Sequence, residues 1–82
     1  MLVDDDQQTR QTLKKALENS GLVVSYDTGT VKDAIEYSRR NHPDVAVLDY
    51  NLGPGPNGIQ LANQLRTIIP TIGIVLLTAF LN

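Results

Sequence analysis

The clearest structural signal in the chain is Val45-Ala46-Val47-Leu48-Asp49, four apolar residues in a row that end at an acid. Strands that face water on one side alternate apolar and polar residues, whereas an unbroken apolar run is typical of a strand covered on both faces. A second run of this kind occupies residues 72–77 and stops before Thr78. Because a strand covered on both faces needs a layer on either side, the sequence predicts a parallel sheet between helices.

Helical patterns separate the strand signals. Asp6 and Gly21 are suited to cap the two ends of the first helix, and Pro43 disfavours helical geometry just beyond the second. In chain order the predicted elements are strand 1–3, helix 7–20, strand 22–26, helix 31–41, strand 45–48, helix 59–68 and strand 72–77. Short connections in this β-α-β-α-β-α-β order imply right-handed crossovers, and therefore an α/β, doubly wound, flavodoxin-like sheet.

Composition excludes several classes of function. The chain has 82 residues, net charge −2, no Cys and a single His, so a disulfide framework and a zinc site are both disfavoured. The mild acidity argues against direct nucleic-acid binding. No apolar run approaches the roughly 20 residues that span a bilayer, and no secretion signal is visible. We expect one cytoplasmic domain that does not contact a membrane.

Acidic residues follow two of the predicted strands. Asp4 and Asp5 come after the first strand and Asp49 ends the third, while Thr78 follows the fourth. Ligands of doubly wound sheets bind at these carboxyl ends, where the strand order reverses. If strands one and three are neighbours, three carboxylates converge, and a cation is needed to offset their repulsion. Oxygen ligands favour Mg²⁺, and a carboxylate in such a site can accept a phosphoryl group.

Three short motifs at these strand ends now point to one family. They are Val3-Asp4-Asp5-Asp6, Asp49-Tyr50-Asn51-Leu52 and Leu77-Thr78-Ala79. Together they resemble the receiver domain of two-component response regulators, over essentially the whole chain. Each motif is weak by itself, and their combination at the expected strand ends is specific.

The resemblance implies a role for each site residue. Asp49 would be the phosphoacceptor, Asp5 a direct Mg²⁺ ligand, and Asp4 a residue that acts on the metal mainly through water. Asn51 would offer its backbone carbonyl to the metal, and Thr78 would hydrogen-bond the phosphoryl group and reorient when it arrives. The donor would be a phosphohistidine on a sensor histidine kinase or a phosphotransfer protein. The domain would catalyse the transfer to itself and would not be a stand-alone enzyme.

The chain departs from the family pattern in two places. The loop at residues 53–58 is one residue longer than the common form. The family's fifth strand, its two flanking helices, a phosphate-contacting Lys and an aromatic switch residue also have no counterpart within residues 1–82. We therefore expect a partial receiver domain, the N-terminal two-thirds of the fold. The remainder would come from further sequence or from a second copy, through a homodimer or a domain swap.

Other interpretations stay open at this point. A pseudo-receiver would use the fold only for protein contacts, and a flavodoxin-like flavin carrier would have the same shape. Residues 53–58 match the dinucleotide fingerprint G-x-G-x-x-G, but Pro54 and Pro56 remove N–H groups that a phosphate cradle needs. Structural roles are the alternative for the acids: helix capping for the Asp4-Asp5-Asp6 run and an Asx-turn for Asp49.

Overall fold

The computed structural model describes residues 1–78, along which four strands alternate with three helices. In chain order these are β1 (Leu2–Val3), α1 (Gln7–Asn19), β2 (Asp27–Thr28), α2 (Val31–Asn41), β3 (Val45–Asp49), α3 (Gly58–Ile68) and β4 (Gly73–Leu77). All pairings are parallel, which confirms the predicted α/β, doubly wound fold. Ala79, the last residue of the third motif, and residues 80–82 lie outside the described residues.

The strand order is β2-β1-β3-β4, so the chain first moves to one side of β1 and then crosses to the other. This reversal places the switch point between β1 and β3, as the sequence predicted. Val3 pairs with Leu48 on one side and with Thr28 on the other. The register therefore brings the residues that follow β1 level with the end of β3.

The core lies on the side of the sheet covered by α2 and α3. Ala46 and Leu48 of β3 point into it and are fully buried, and Leu61 and Leu65 of α3 are buried against them. Burial of each leucine side chain is worth about 1.5–3 kcal/mol, and burial of apolar side chains is the main force that holds the helices to the sheet. Within residues 1–78, α1 on the other face contributes no buried side chain.

The second strand lies later in the chain than predicted. The β-branched run at 22–26 predicted a strand, but the ladder with β1 is formed by Asp27 and Thr28, and only the Tyr26 carbonyl joins it, accepting the Leu2 N–H. Val23 is 90% exposed. Two polar residues, Asp27 and Thr28, can form this strand because β2 is the edge of the described sheet and Asp27 has cationic partners on α1.

Side chains cap the start of each helix. Asp6 accepts the Thr9 N–H at α1, as predicted, and Thr30 accepts the Asp33 N–H at α2. At α3, Asn57 and Gln60 form a complete capping box that the sequence reading missed. No helix within residues 1–78 has the length and apolar character to cross a membrane.

Candidate functional site

Three carboxylates meet at the carboxyl ends of β1 and β3. One oxygen from each of Asp4, Asp5 and Asp49 lies within 4.8 Å of the others. Asp4 and Asp5 continue the chain directly after β1, and Asp49 is the last residue of β3. The predicted convergence is therefore present, and it follows from the adjacency of β1 and β3 in the sheet.

Asp4 is the buried member of this acid cluster, with 4% of its surface exposed. Its Oδ1 accepts the Asp6 N–H over 2.9 Å, which closes a turn between β1 and α1. Burial raises the pKa of Asp4 above its ordinary value, and the charges of Asp49, Asp5 and Asp6 raise it further against the opposing effect of that hydrogen bond. Without a cation, the site therefore disfavours full ionisation.

Asp49 is half-buried, and main-chain bonds hold it in place. The next residue, Tyr50, donates its N–H to the Leu77 carbonyl of β4 and accepts the Gly58 N–H of α3, each over 2.8 Å. Asp49 Oδ1 also accepts the Asn51 N–H over 3.3 Å, so the Asx-turn considered from sequence exists alongside the acid cluster. The carboxylate is thereby oriented at the point where β3, β4 and α3 meet.

Gly58 is required by the close approach of α3 to this strand end. A Cβ at Gly58 would collide with the Asp49 carbonyl oxygen and would lie 2.8 Å from Leu76 Cδ1 and 3.0 Å from Tyr50 Cα. The first residue of α3 therefore rests directly on the main chain of the candidate phosphoacceptor. Any side chain here would push the helix away from the site.

The loop at residues 53–58 passes close to Asp5. Gly53 has φ of +81°, in the left-handed region that favours glycine, and a Cβ there would lie 3.4 Å from Asp5 Oδ2. Asn51, two residues before Gly53, is exposed. The glycine turn thus brings the loop beside Asp5, while the three carboxylates lie within 4.8 Å of one another.

A cleft of about 610 Å³ opens from the acid cluster. Its lining includes Asp4, Asp6 and Asp49, Thr12 and Leu13 of α1, and Thr78, which follows β4. Thr78 is exposed. The cleft thus brings a hydroxyl group to the same opening as the carboxylates.

The donor set fits a hard divalent cation. All three groups are carboxylates, the ligands that Mg²⁺ takes in proteins, and a small number of them leaves positions for water and phosphate oxygens. Burial is the largest cause of the raised pKa of Asp4, and the neighbouring carboxylates add to it. This raised pKa and the shared negative charge are consistent with a site completed by a cation.

Comparison with known proteins identifies the family. The family model for the response regulator receiver domain matches residues 1–82. This chain belongs to the receiver domain family. Its receiver sequence is 34% identical over 79 residues to response regulator MprA of Mycobacterium leprae, and 35% identical over 81 residues to sensory transduction protein LytT of Bacillus anthracis. These matches cover 96% and 98% of the chain, which spans 34% and 32% of the two relatives.

A solved structure agrees with this assignment. The two-component response regulator of the LuxR family from Aurantimonas sp. SI85-9A1 superposes with a TM-score of 0.91 at 29% identity. The superposition covers 100% of this receiver chain and 59% of that one. The sheet, the helices and the switch point described above are therefore those of a receiver domain.

The sequence reading missed one group of residues beside the site. Lys14 Nζ and Arg10 Nε of α1 each bind the Asp27 carboxylate of β2, over 3.2 and 3.0 Å. Burial would raise the pKa of Asp27, but the hydrogen bonds and charges of Lys14 and Arg10 outweigh it and hold the pKa below its ordinary value. The sequence signal for these ion pairs is the presence of two cations, Arg10 and Lys14, one turn apart on the helix that follows the acids.

Proposed function

We propose that this receiver domain accepts a phosphoryl group on Asp49 in a Mg²⁺-dependent reaction and changes conformation in response. The observation that carries the proposal is the convergence of the Asp4, Asp5 and Asp49 carboxylates within 4.8 Å at the switch point. The donor is a phosphohistidine on a sensor histidine kinase or a phosphotransfer protein, because the family operates in two-component signalling.

The chemical step is a phosphoryl transfer between two side chains. A carboxylate oxygen of Asp49 forms a bond to phosphorus as the N–P bond of the phosphohistidine breaks. The electron pair of that bond returns to the imidazole nitrogen, which is protonated from solvent, and Asp49 becomes an acyl phosphate. Orientation of the acceptor by the main-chain bonds of Tyr50 contributes to the rate because it fixes the attacking group in advance.

The remaining site residues have supporting roles. Asp5 would bind Mg²⁺ directly, Asp4 mainly through water, and Asp49 and the Asn51 carbonyl would complete the protein ligands. When bound, the metal offsets negative charge on the transferred phosphoryl oxygens. Thr78 would hydrogen-bond the phosphoryl group, and its place at the opening of the cleft supports this role. A pseudo-receiver has no need of the acid cluster, which favours the phosphoryl-accepting function.

A single phosphorylation experiment tests the proposal. With a small acyl phosphate and Mg²⁺, the intact protein should gain the mass of one phosphoryl group, bound as a base-labile acyl phosphate. Asp49→Asn should abolish the gain. Asp44→Asn is the matched control, because Asp44 is exposed and just precedes the opposite end of β3. A phosphoryl group found at another residue of the Asp49→Asn variant would refute the assignment of Asp49 as the phosphoacceptor.

A further inference from the structure

Arg10 joins three elements beside the acid cluster. Its Nε donates to Asp27 Oδ2 in the edge strand β2 over 3.0 Å, and its Nη1 donates to the main-chain oxygen of Asp4 over 2.7 Å. Both side chains of the ion pair are shielded, with 15% and 16% of their surface exposed. One planar guanidinium group thus ties α1 to β2 and to the residue that follows β1.

Asp4 is where the chain leaves the sheet, so its main chain needs other partners. Its N–H donates to the Thr28 carbonyl over 3.1 Å, while its own carbonyl accepts from Arg10. A buried carbonyl without a donor is unfavourable, and Asp4 is almost entirely buried. Because the peptide unit is planar, the direction of this carbonyl also fixes the nitrogen and Cα of Asp5.

Gly29 leaves the space that the guanidinium group occupies. A Cβ at this position would lie 2.9 Å from Arg10 Nη1, 3.5 Å from the Asp4 oxygen and 3.7 Å from Asp5 Cα. Gly29 is not one of the glycines with positive φ, so a methyl group there would be opposed only by this close approach and could be accommodated if the end of the Arg10 side chain moved. Glycine at this position therefore lets the guanidinium group stay on the Asp4 carbonyl.

We propose that Arg10 is a positioning residue for the acid cluster, which holds the peptide plane between Asp4 and Asp5 and so presets the spacing of the two carboxylates. The inference rests on the proposed function, because it concerns the same Mg²⁺ site. Arg10 acts through the Asp4 main chain. Groups that orient metal ligands in this way commonly change metal affinity by about 10–100-fold when they are removed.

Lys14 offers a matched control for this role. It binds the other oxygen of the same Asp27 carboxylate, and among the described residues its side chain hydrogen-bonds to Asp27 alone. Loss of either cation makes the neighbourhood of the acid cluster more negative, which by itself strengthens Mg²⁺ binding. A loss of affinity specific to Arg10 therefore reports its bond to the Asp4 carbonyl.

The test is Mg²⁺ titration calorimetry on the full-length protein, with thermal unfolding midpoints measured in the absence of the metal. Arg10→Gln should weaken Mg²⁺ binding by about tenfold. Lys14→Gln should stay within about twofold of wild type, since a partly exposed ion pair contributes little. Gly29→Ala should also weaken binding, because it displaces the guanidinium group. Arg10→Lys should restore only part of the affinity, because an ammonium group lacks the planar fork.

The outcomes separate the two proposals. If wild type binds Mg²⁺ and the Arg10→Gln and Lys14→Gln variants have equal affinities, the positioning role is wrong and the proposed function stands. If wild type does not bind Mg²⁺, the proposed function fails and the inference fails with it. If Arg10→Gln does not fold, the Mg²⁺ affinities of Arg10→Lys and Gly29→Ala are compared with that of Lys14→Gln instead. Equal affinities would again show that the positioning role of Arg10 is wrong.

Discussion

Neutralising Asp49 should stabilise the fold in the absence of Mg²⁺. Burial raises the pKa of Asp4, and the charge of Asp49 raises it further, so the carboxylates of the acid cluster oppose folding at neutral pH. Asp49→Asn removes one charge and nearly preserves the shape of the side chain. The amide oxygen can still accept the Asn51 N–H, so the turn after β3 is retained.

The expected magnitude follows from the separation of the carboxylates. For two charges 4.8 Å apart, Coulomb's law gives about 0.9 kcal/mol in water and about 3.5 kcal/mol at an effective dielectric constant near 20. Because Asp4 is buried but Asp49 is only half-buried, the repulsion energy of this pair should lie toward the lower end of that range. We expect the metal-free Asn variant to gain about 1–2 kcal/mol in free energy of unfolding.

Urea unfolding followed by circular dichroism, with chelator and then with Mg²⁺, measures both effects. Wild type should gain about 1.4 kcal/mol when Mg²⁺ is at ten times its dissociation constant, and the Asn variant should gain less. Asp44→Asn controls for the loss of an acid outside the cluster. The reasoning is refuted if Asp49→Asn is no more stable than wild type without metal, or if Mg²⁺ stabilises both proteins equally.

Three further predictions concern the surroundings of the site. Asp27→Asn should be less stable than wild type above about pH 4, and the difference should vanish as the pH falls through the lowered folded-state pKa of Asp27. Burial alone would raise that pKa, but the hydrogen bonds and charges of Lys14 and Arg10 outweigh burial and lower it. Urea unfolding across a pH series measures the difference in stability. Gly58→Ala should destabilise the domain by about 1–3 kcal/mol, because the added methyl group enters space filled by the main chain at the end of β3; an unchanged melting temperature would contradict this packing. Leu65→Ala should lower the free energy of unfolding by about 2–5 kcal/mol, since Leu65 is fully buried, whereas alanine at an exposed position of α3 should change it little.

The order of elements and the convergence of the acids could be predicted from the sequence because both depend on local patterns. The apolar run before Asp49 fixed a central strand, and the parallel topology then required the residues after β1 to lie beside it. By contrast, the position of β2 could not be predicted from propensity. Val23 has a strong strand propensity but is exposed, whereas Asp27 pairs with β1 because of tertiary contacts with α1.

Long-range contacts also explain what was missed at the site. On a helical pattern Arg10 falls outside the apolar face, and nothing local distinguishes it from a solvated residue. Its importance comes from Asp27, 17 residues away, and from a main-chain oxygen that no side-chain pattern reveals. The close contact at Gly29 is also non-local, because the Arg10 side chain that approaches it belongs to α1.

The close approach of Gly58 to the Asp49 carbonyl couples the start of α3 to the end of β3 through main-chain atoms alone. Gly58 carries no side chain that could bend to absorb a movement, and its N–H is tied to the next carbonyl, that of Tyr50. A displacement of the Asp49 main chain would therefore displace the first turn of α3 as well. On the proposed function, a partner bound along α3 would sense a change at Asp49 without touching the cleft.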